Sequence, residues 1–219
     1  MTLLDFYGFG RSSHPDVALT LDDYVLGVVS ILRKYNMHEV TLVCHSFGGR
    51  VGIKLAAKYP YYIKKIVLAD SAGLKPRRGI IYYSKVFIHK FLTKLHIEHT
   101  SGSEDYKKLN GKMRETFKNI VNEDLSDECR KVKADTLIIW GNKDKDTPIY
   151  MARKLHRLIR KSMVIVFKGC GHFAYLERNA RFCIIVESFL SNELDMGDCC
   201  NTNRFGRNRD RSISDPCTK

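Results

Sequence analysis

One serine, one histidine and three aspartates in this chain stand where side chains can do chemistry rather than fill a core. They are Ser46, His172, Asp70, Asp144 and Asp146, and each comes shortly after a short apolar run. Val40 to Cys44 is β-branched and apolar, the pattern of a buried strand. From Gly48 a helix-forming run begins, with Val51, Leu55 and Ala56 on one face and a stop at Pro60. Only His45, Ser46 and Phe47 lie between. A strand that turns so abruptly into a helix strains its corner residue and points that side chain out of the turn, as in a nucleophile elbow. Small residues two positions either side, here Cys44 and Gly48, are expected to let the backbone close. Ser46 is therefore the candidate nucleophile. Its hydroxyl is weak at neutral pH and needs a base within hydrogen-bond reach.

The elements that would position these groups alternate. Thr20 with Asp23 reads as a capping box opening a helix to about Tyr35, with Tyr24, Val28, Ile31 and Leu32 as its buried stripe. Ile63 to Ala69 is a second buried strand ending at Asp70. Thr136 to Trp140 is a third, followed by a polar loop with Asp144 and Asp146 and a helix from Ile149 to about Arg160. Met163 to Phe167 is a fourth, followed by Lys168-Gly169-Cys170-Gly171-His172 and a closing helix burying Phe182, Cys183, Val186, Phe189 and Leu190. Strand–helix alternation means a mostly parallel sheet with helices on both faces, an α/β fold whose sites gather at the carboxyl ends of the strands. The first thirteen residues read as the end of a strand entering a glycine turn. Gly8 and Gly10 lack the third glycine and acidic partner of a dinucleotide fingerprint.

The alternation is interrupted over residues 74–124. Tyr83, Phe87, Phe91 and Leu95 repeat at helical spacing, Met113, Phe117, Ile120 and Val121 mark a further helix, and Ser101-Gly102-Ser103 is a joint between them. This reads as a small helical cap inserted over the strand ends, between core segments 1–73 and 125–195. Residues 196–219 read as a disordered tail.

The composition, 44% hydrophobic and 28% charged over 219 residues, is that of a globular domain. Seven cysteines without metal or redox spacing, and no apolar run long enough to span a bilayer, lead us to expect a cytoplasmic protein without a membrane span, metal or cofactor. The formal charge of +13 concentrates in six basic residues from Lys75 to Ile97 and in the tail. No recognition helix or aromatic RNA-binding motif accompanies either cluster, so no nucleic acid is expected, and an anionic small-molecule substrate suits the charge better. His45 reads as a packed neighbour of the elbow. His14, His38, His89, His96, His99 and His156 stand outside any motif and read as surface residues.

Four stretches, in order, resemble the α/β-hydrolase fold superfamily. Asp5-Phe6-Tyr7-Gly8-Phe9-Gly10-Arg11-Ser12 is similar to its glycine turn and His45-Ser46-Phe47-Gly48-Gly49 to its elbow. Trp140-Gly141-x-x-Asp144-x-x-x-Pro148 resembles the acid segment, and Gly171-His172-Phe173 with Glu177 the histidine segment. The resemblance implies Ser46 as nucleophile, His172 as general base and Asp144 as orienting carboxylate, with Asp146 and Asp70 as alternative acids. It implies the Phe47 N–H as one oxyanion donor. The implied activity is hydrolysis of an ester, thioester or related activated carbonyl through an acyl-enzyme. Hydrolysis of a carbon–carbon bond in a diketone-like acid is an alternative. Against the family pattern the chain reads as truncated at its N-terminus, without the strand expected beside the elbow strand. An impaired or purely binding member of the family is therefore the competing expectation.

Overall fold

The computed structural model describes residues 1–75 and 111–192. The aromatic repeat from Tyr83 to Leu95, the Ser101–Ser103 joint and the tail from residue 196 lie outside the described residues. Helix α1, Leu21–Lys34, opens with the capping box: Thr20 N–H donates to Asp23 Oδ2 at 2.7 Å, and Asp23 N–H donates to Thr20 Oγ1 at 3.3 Å. Strand β1 is Val40–His45 and helix α2 Phe47–Lys58, and a 3-10 turn at Pro60–Tyr62 leads into β2, Ile63–Ala69. Then come α3 (Gly111–Val121), α4 (Ser126–Lys131), β3 (Asp135–Gly141) and α5 (Tyr150–Leu158). The chain continues through β4 (Ser162–Phe167), α6 (Ala174–Glu177) and α7 (Asn179–Leu190).

The four strands form one parallel sheet in the order β1-β2-β3-β4. Its inner strands are apolar on both faces, as a covered parallel sheet requires. Ile66, Leu68, Ile138 and Trp140 face a core shared with α1, α2, α4 and α5, whereas Val67, Leu137 and Ile139 pack with Phe167, Ala174 and Phe189 on the other side. Register pairs His45 with Ala69, Ala69 with Ile139 and Gly141 with Phe167, so the strands finish at about one level. The loops that follow all open at that rim. Among the described residues β1 is an edge strand, and Val43 is 59% exposed.

Four local readings need correcting. In the closing helix α7 only Phe189 is fully buried, and Cys183 and Leu190 are exposed, because that helix has one face on the sheet and the other open. Residues 1–13 contain no strand; they form a turn closed on Asp5, whose carboxylate accepts from the Arg11 N–H at 3.0 Å and whose carbonyl accepts from Ser12 Oγ at 2.6 Å. This turn is fastened to the elbow by rings: Phe6 and Phe9 lie 5.6 and 5.3 Å from Phe47, centroid to centroid. The buried stripe of α1 takes in Leu21, Val25 and Val29 besides Tyr24, Val28 and Leu32, while Ile31 is half-buried. His156 is half-buried, 2.9 Å from Ser162 Oγ, because α5 packs over the start of β4.

Helix α3 is tied to the elbow helix. Arg50, one turn beyond Ser46, is buried and donates to the carbonyls of Ile120 and Glu123 at 3.0 and 2.9 Å. Lys54, a turn further, bonds Glu123 and Asp22 at 2.6 and 3.0 Å. Ile120 joins the main core. No helix among the described residues is long and apolar enough to cross a membrane.

Candidate active site

Ser46 occupies the corner between β1 and α2 with φ 47 and ψ −114, outside the regions open to most L-residues. The strain is held by the surroundings. Its N–H donates to the Ala69 carbonyl at 3.2 Å, and its own carbonyl accepts from the Gly49 and Ala72 amides at 3.0 and 2.9 Å. The space comes from glycines other than the expected one. A Cβ on Gly48 would meet nothing within 4 Å, whereas one on Gly49 would overlap Ser71 Oγ, and one on Gly52 would lie 2.6 Å from Cys44 Sγ. The close approach is thus between α2 and the ends of β1 and β2, not across the corner itself.

Ser46 Oγ lies 2.9 Å from His172 Nε2, and His172 Nδ1 lies 2.9 Å from Asp144 Oδ2. The imidazole can therefore donate through Nδ1 to the carboxylate and accept the serine proton at Nε2. Asp144 is buried and richly bonded: Oδ1 accepts from the Asp146 and Thr147 amides at 2.8 and 3.0 Å, and Oδ2 from Thr147 Oγ1 at 2.6 Å. Burial pushes this carboxyl up, but the bonds from His172 and Thr147 outweigh it and hold Asp144 below the usual carboxylate range. The bond to Asp144 raises His172 against the opposing effect of its own burial.

Gly141 allows the histidine loop to cross. A Cβ there would collide with the Gly171 carbonyl oxygen and come within 2.5 Å of that of Cys170. Glu177 Oε1 accepts the Gly171 amide at 2.8 Å and steadies the residue before His172. His45 packs as expected beside the elbow. Its Nε2–H donates to the His172 carbonyl at 2.9 Å and its ring sits 4.8 Å from that of His172. Burial holds its proton affinity below that of an ordinary histidine.

The two alternative acids fall elsewhere. Asp146 is exposed, and the atom it contributes to the contact with Asp144 Oδ1 is its amide nitrogen. Asp70 is fully buried at the end of β2, with Oδ1 accepting from Gly141 N–H at 2.8 Å. Asp144, Asp146 and His172 bring ligand-type atoms within 4.8 Å of one another, donors that suit a cation, though Asp144 and His172 are bonded to each other. Phe47, at the start of α2, offers one of the helix's first amides, which have no partner within the helix. Thr147 escaped the sequence reading, and only its place three residues after an aspartate could have flagged it.

The profile of the Alpha/beta hydrolase family matches residues 2–183. Among curated relatives, 2-hydroxy-6-oxo-2,4-heptadienoate hydrolase of Pseudomonas putida is 24% identical over 86% of this chain and 77% of its own. The 2-hydroxy-6-oxo-6-(2'-aminophenyl)hexa-2,4-dienoic acid hydrolase of Metapseudomonas resinovorans is 27% identical over 88% of this chain and 74% of its own. Among solved structures, a serine hydrolase involved in carbazole degradation superposes with a TM-score of 0.65 at 25% identity, over 86% of this chain and 78% of that one. On the match across most of its length, the chain belongs to the alpha/beta hydrolase family.

Proposed function

We propose that this protein is a serine hydrolase that works through an acyl-enzyme on a small molecule with an activated carbonyl. The observation that carries the reading is the continuous line of hydrogen bonds from Ser46 Oγ through His172 to Asp144, both links at 2.9 Å. In that line His172 Nε2 takes the hydroxyl proton as Ser46 Oγ attacks the carbonyl carbon, and Asp144 supports the imidazolium that forms. The Phe47 amide stabilises the oxyanion. The imidazolium then protonates the leaving group, and a water activated by the same nitrogen releases the acid and restores Ser46. Labelling with a fluorophosphonate probe tests this: the chain is expected to label and Ser46→Ala is not. Labelling that persists in the alanine variant rejects Ser46. Absence of label on the unsubstituted chain favours a member that binds without reacting.

A second reading, carbon–carbon bond hydrolysis, is favoured by the relatives, which are named as hydrolases of 2-hydroxy-6-oxo-dienoates. There the leaving group is a carbon stabilised by conjugation, and it needs a proton delivered to carbon rather than to oxygen. Such substrates are carboxylates, in keeping with an anionic ligand. Incubation with 2-hydroxy-6-oxo-2,4-heptadienoate and with a p-nitrophenyl ester, products followed by chromatography, separates the two. Turnover of the ester alone discards the second reading.

A further inference from the structure

Two carboxyl groups stand behind one imidazole on neighbouring strands, and their surroundings differ sharply. Asp144 receives hydrogen bonds from His172, from two amides and from Thr147 Oγ1. Asp70 receives one of ordinary length, from Gly141 N–H, with the Ala174 amide acting more weakly, and among the described residues its Oδ2 is buried with no partner at hydrogen-bond distance. A charged carboxylate oxygen left bare of donors in a dry site is costly, whereas a protonated one is tolerated. Asp70 also touches the Asp144 loop at both ends. Its Oδ1 holds Gly141, where β3 gives way to the loop, and its carbonyl lies 3.2 Å from the Thr147 hydroxyl, whose shorter contact is to Asp144. Its backbone is pinned in the left-handed region at φ 43, with its N–H on the Ile139 carbonyl at 3.0 Å.

We infer that Asp70 is a positioning residue that serves as a neutral acid, holding the start of the Asp144 loop through Gly141 while keeping a second negative charge away from His172. The inference rests on the reading of Ser46, His172 and Asp144 given above. It stands on the placement of the two carboxyls, and electrostatics agrees. Burial lifts Asp70 to about 7 and the charge of Asp144 adds to this, against the pull of the Gly141 and Ala174 amides and of the His172 ring. His172 in turn faces Asp144, Asp146 and Asp70. When Asp70 loses its proton the imidazolium gains a second nearby anion, so His172 keeps its proton to higher pH and is a free base over a narrower range.

The test is a titration of the His172 imidazole by NMR in the unsubstituted chain and in Asp70→Asn, which mimics the neutral acid at every pH. Because a neutral amide then replaces a neutral acid, the His172 midpoint is expected to move by well under one pH unit in Asp70→Asn. A fall of about one unit, the shift that loss of a nearby charge supplies, shows Asp70 already ionised and overturns the inference. The pH dependence of fluorophosphonate labelling should likewise stay in place. Asp70→Ala, which also loses the Gly141 bond, should leave the midpoint equally in place and label more slowly at the plateau. Carbon NMR of the Asp70 carboxyl in the unsubstituted chain, which does not depend on a variant folding, gives the positive readout: the proton is expected to be held to about pH 7, and titration in the ordinary aspartate range overturns the inference. A carboxyl that holds its proton, with no labelling of either chain, upholds the neutral acid and rejects Ser46 as reactive.

Discussion

Cys44 Sγ fills the space that a side chain at position 52 would need, 2.6 Å from where a Gly52 Cβ would stand. Residue 44 occupies the place of the first glycine in the usual elbow motif, and the room its thiol requires is provided eight residues later by the helix. Gly52→Ala should destabilise the fold by roughly 1–3 kcal/mol through overpacking. Cys44→Ala should relieve most of that in the double variant, leaving only the 3.2 Å approach to Ile66 Cδ1. Urea denaturation of the four members of this cycle measures the coupling.

Asp144→Asn keeps the shape of the acid but removes its charge and favours the wrong imidazole tautomer. Turnover of an ester substrate should fall by about 10⁴-fold with a smaller effect on KM. Asp146→Asn should remain within a few-fold of the parent, because its carboxylate is exposed and, of the two, only that of Asp144 is bonded to His172 Nδ1. Equal losses in the two variants would assign the acid differently.

The two buried carboxyls should pull stability in opposite directions as pH changes. Asp144 is held below its usual range, so its contribution is present above about pH 4 and is lost as pH falls through its lower folded value. Asp70 is lifted from 3.8 to about 7, so its contribution is present below about pH 4 and is lost as pH rises towards 7. Asp70→Asn should therefore gain stability on the parent between pH 5 and pH 8, whereas Asp144→Asn should flatten the loss of stability below pH 4. Thermal melting across pH reads both slopes.

Arg50 is a buried cation bonded to carbonyls at the end of α3. Arg50→Met should cost roughly 2–4 kcal/mol, since those carbonyls lose a charged donor. Arg50→Lys should recover little, because an ammonium cannot span the same carbonyls as a planar fork. Limited proteolysis within residues 111–123 is expected to speed up in both variants.

The strands, and the order in which the three proposed catalytic residues follow them, were readable because they rest on local patterns. β-branched runs mark β1 to β4, the Thr20–Asp23 pair marks the start of α1, and Ser46, Asp144 and His172 each follow a strand. What escaped reading depends on neighbours from other elements. Gly49 and Gly52 are required by Ser71 and Cys44, and Gly141 by the backbone of Cys170 and Gly171. The role expected of Gly48 failed for the same reason, since nothing comes near it. His156 gave no sign of burial because its partner, Ser162, begins the next strand. Asp70 was legible as a rival acid, but its bare oxygen is a property of the packed rim.

His172 descends from β4 and Ser46 from β1, the two outermost strands of the sheet among the described residues, with two strands between them. Three inter-strand spacings amount to about 14 Å, and the five residues from Lys168 to His172, threaded past Gly141, bridge it together with the side chains of His172 and Ser46. The length of this tether is therefore a dimension of the proposed reacting centre in its own right. Shortening it by one residue would draw the ring back along the rim by up to about 3.5 Å, farther than a hydrogen bond can stretch, even if every residue that remained were left unchanged.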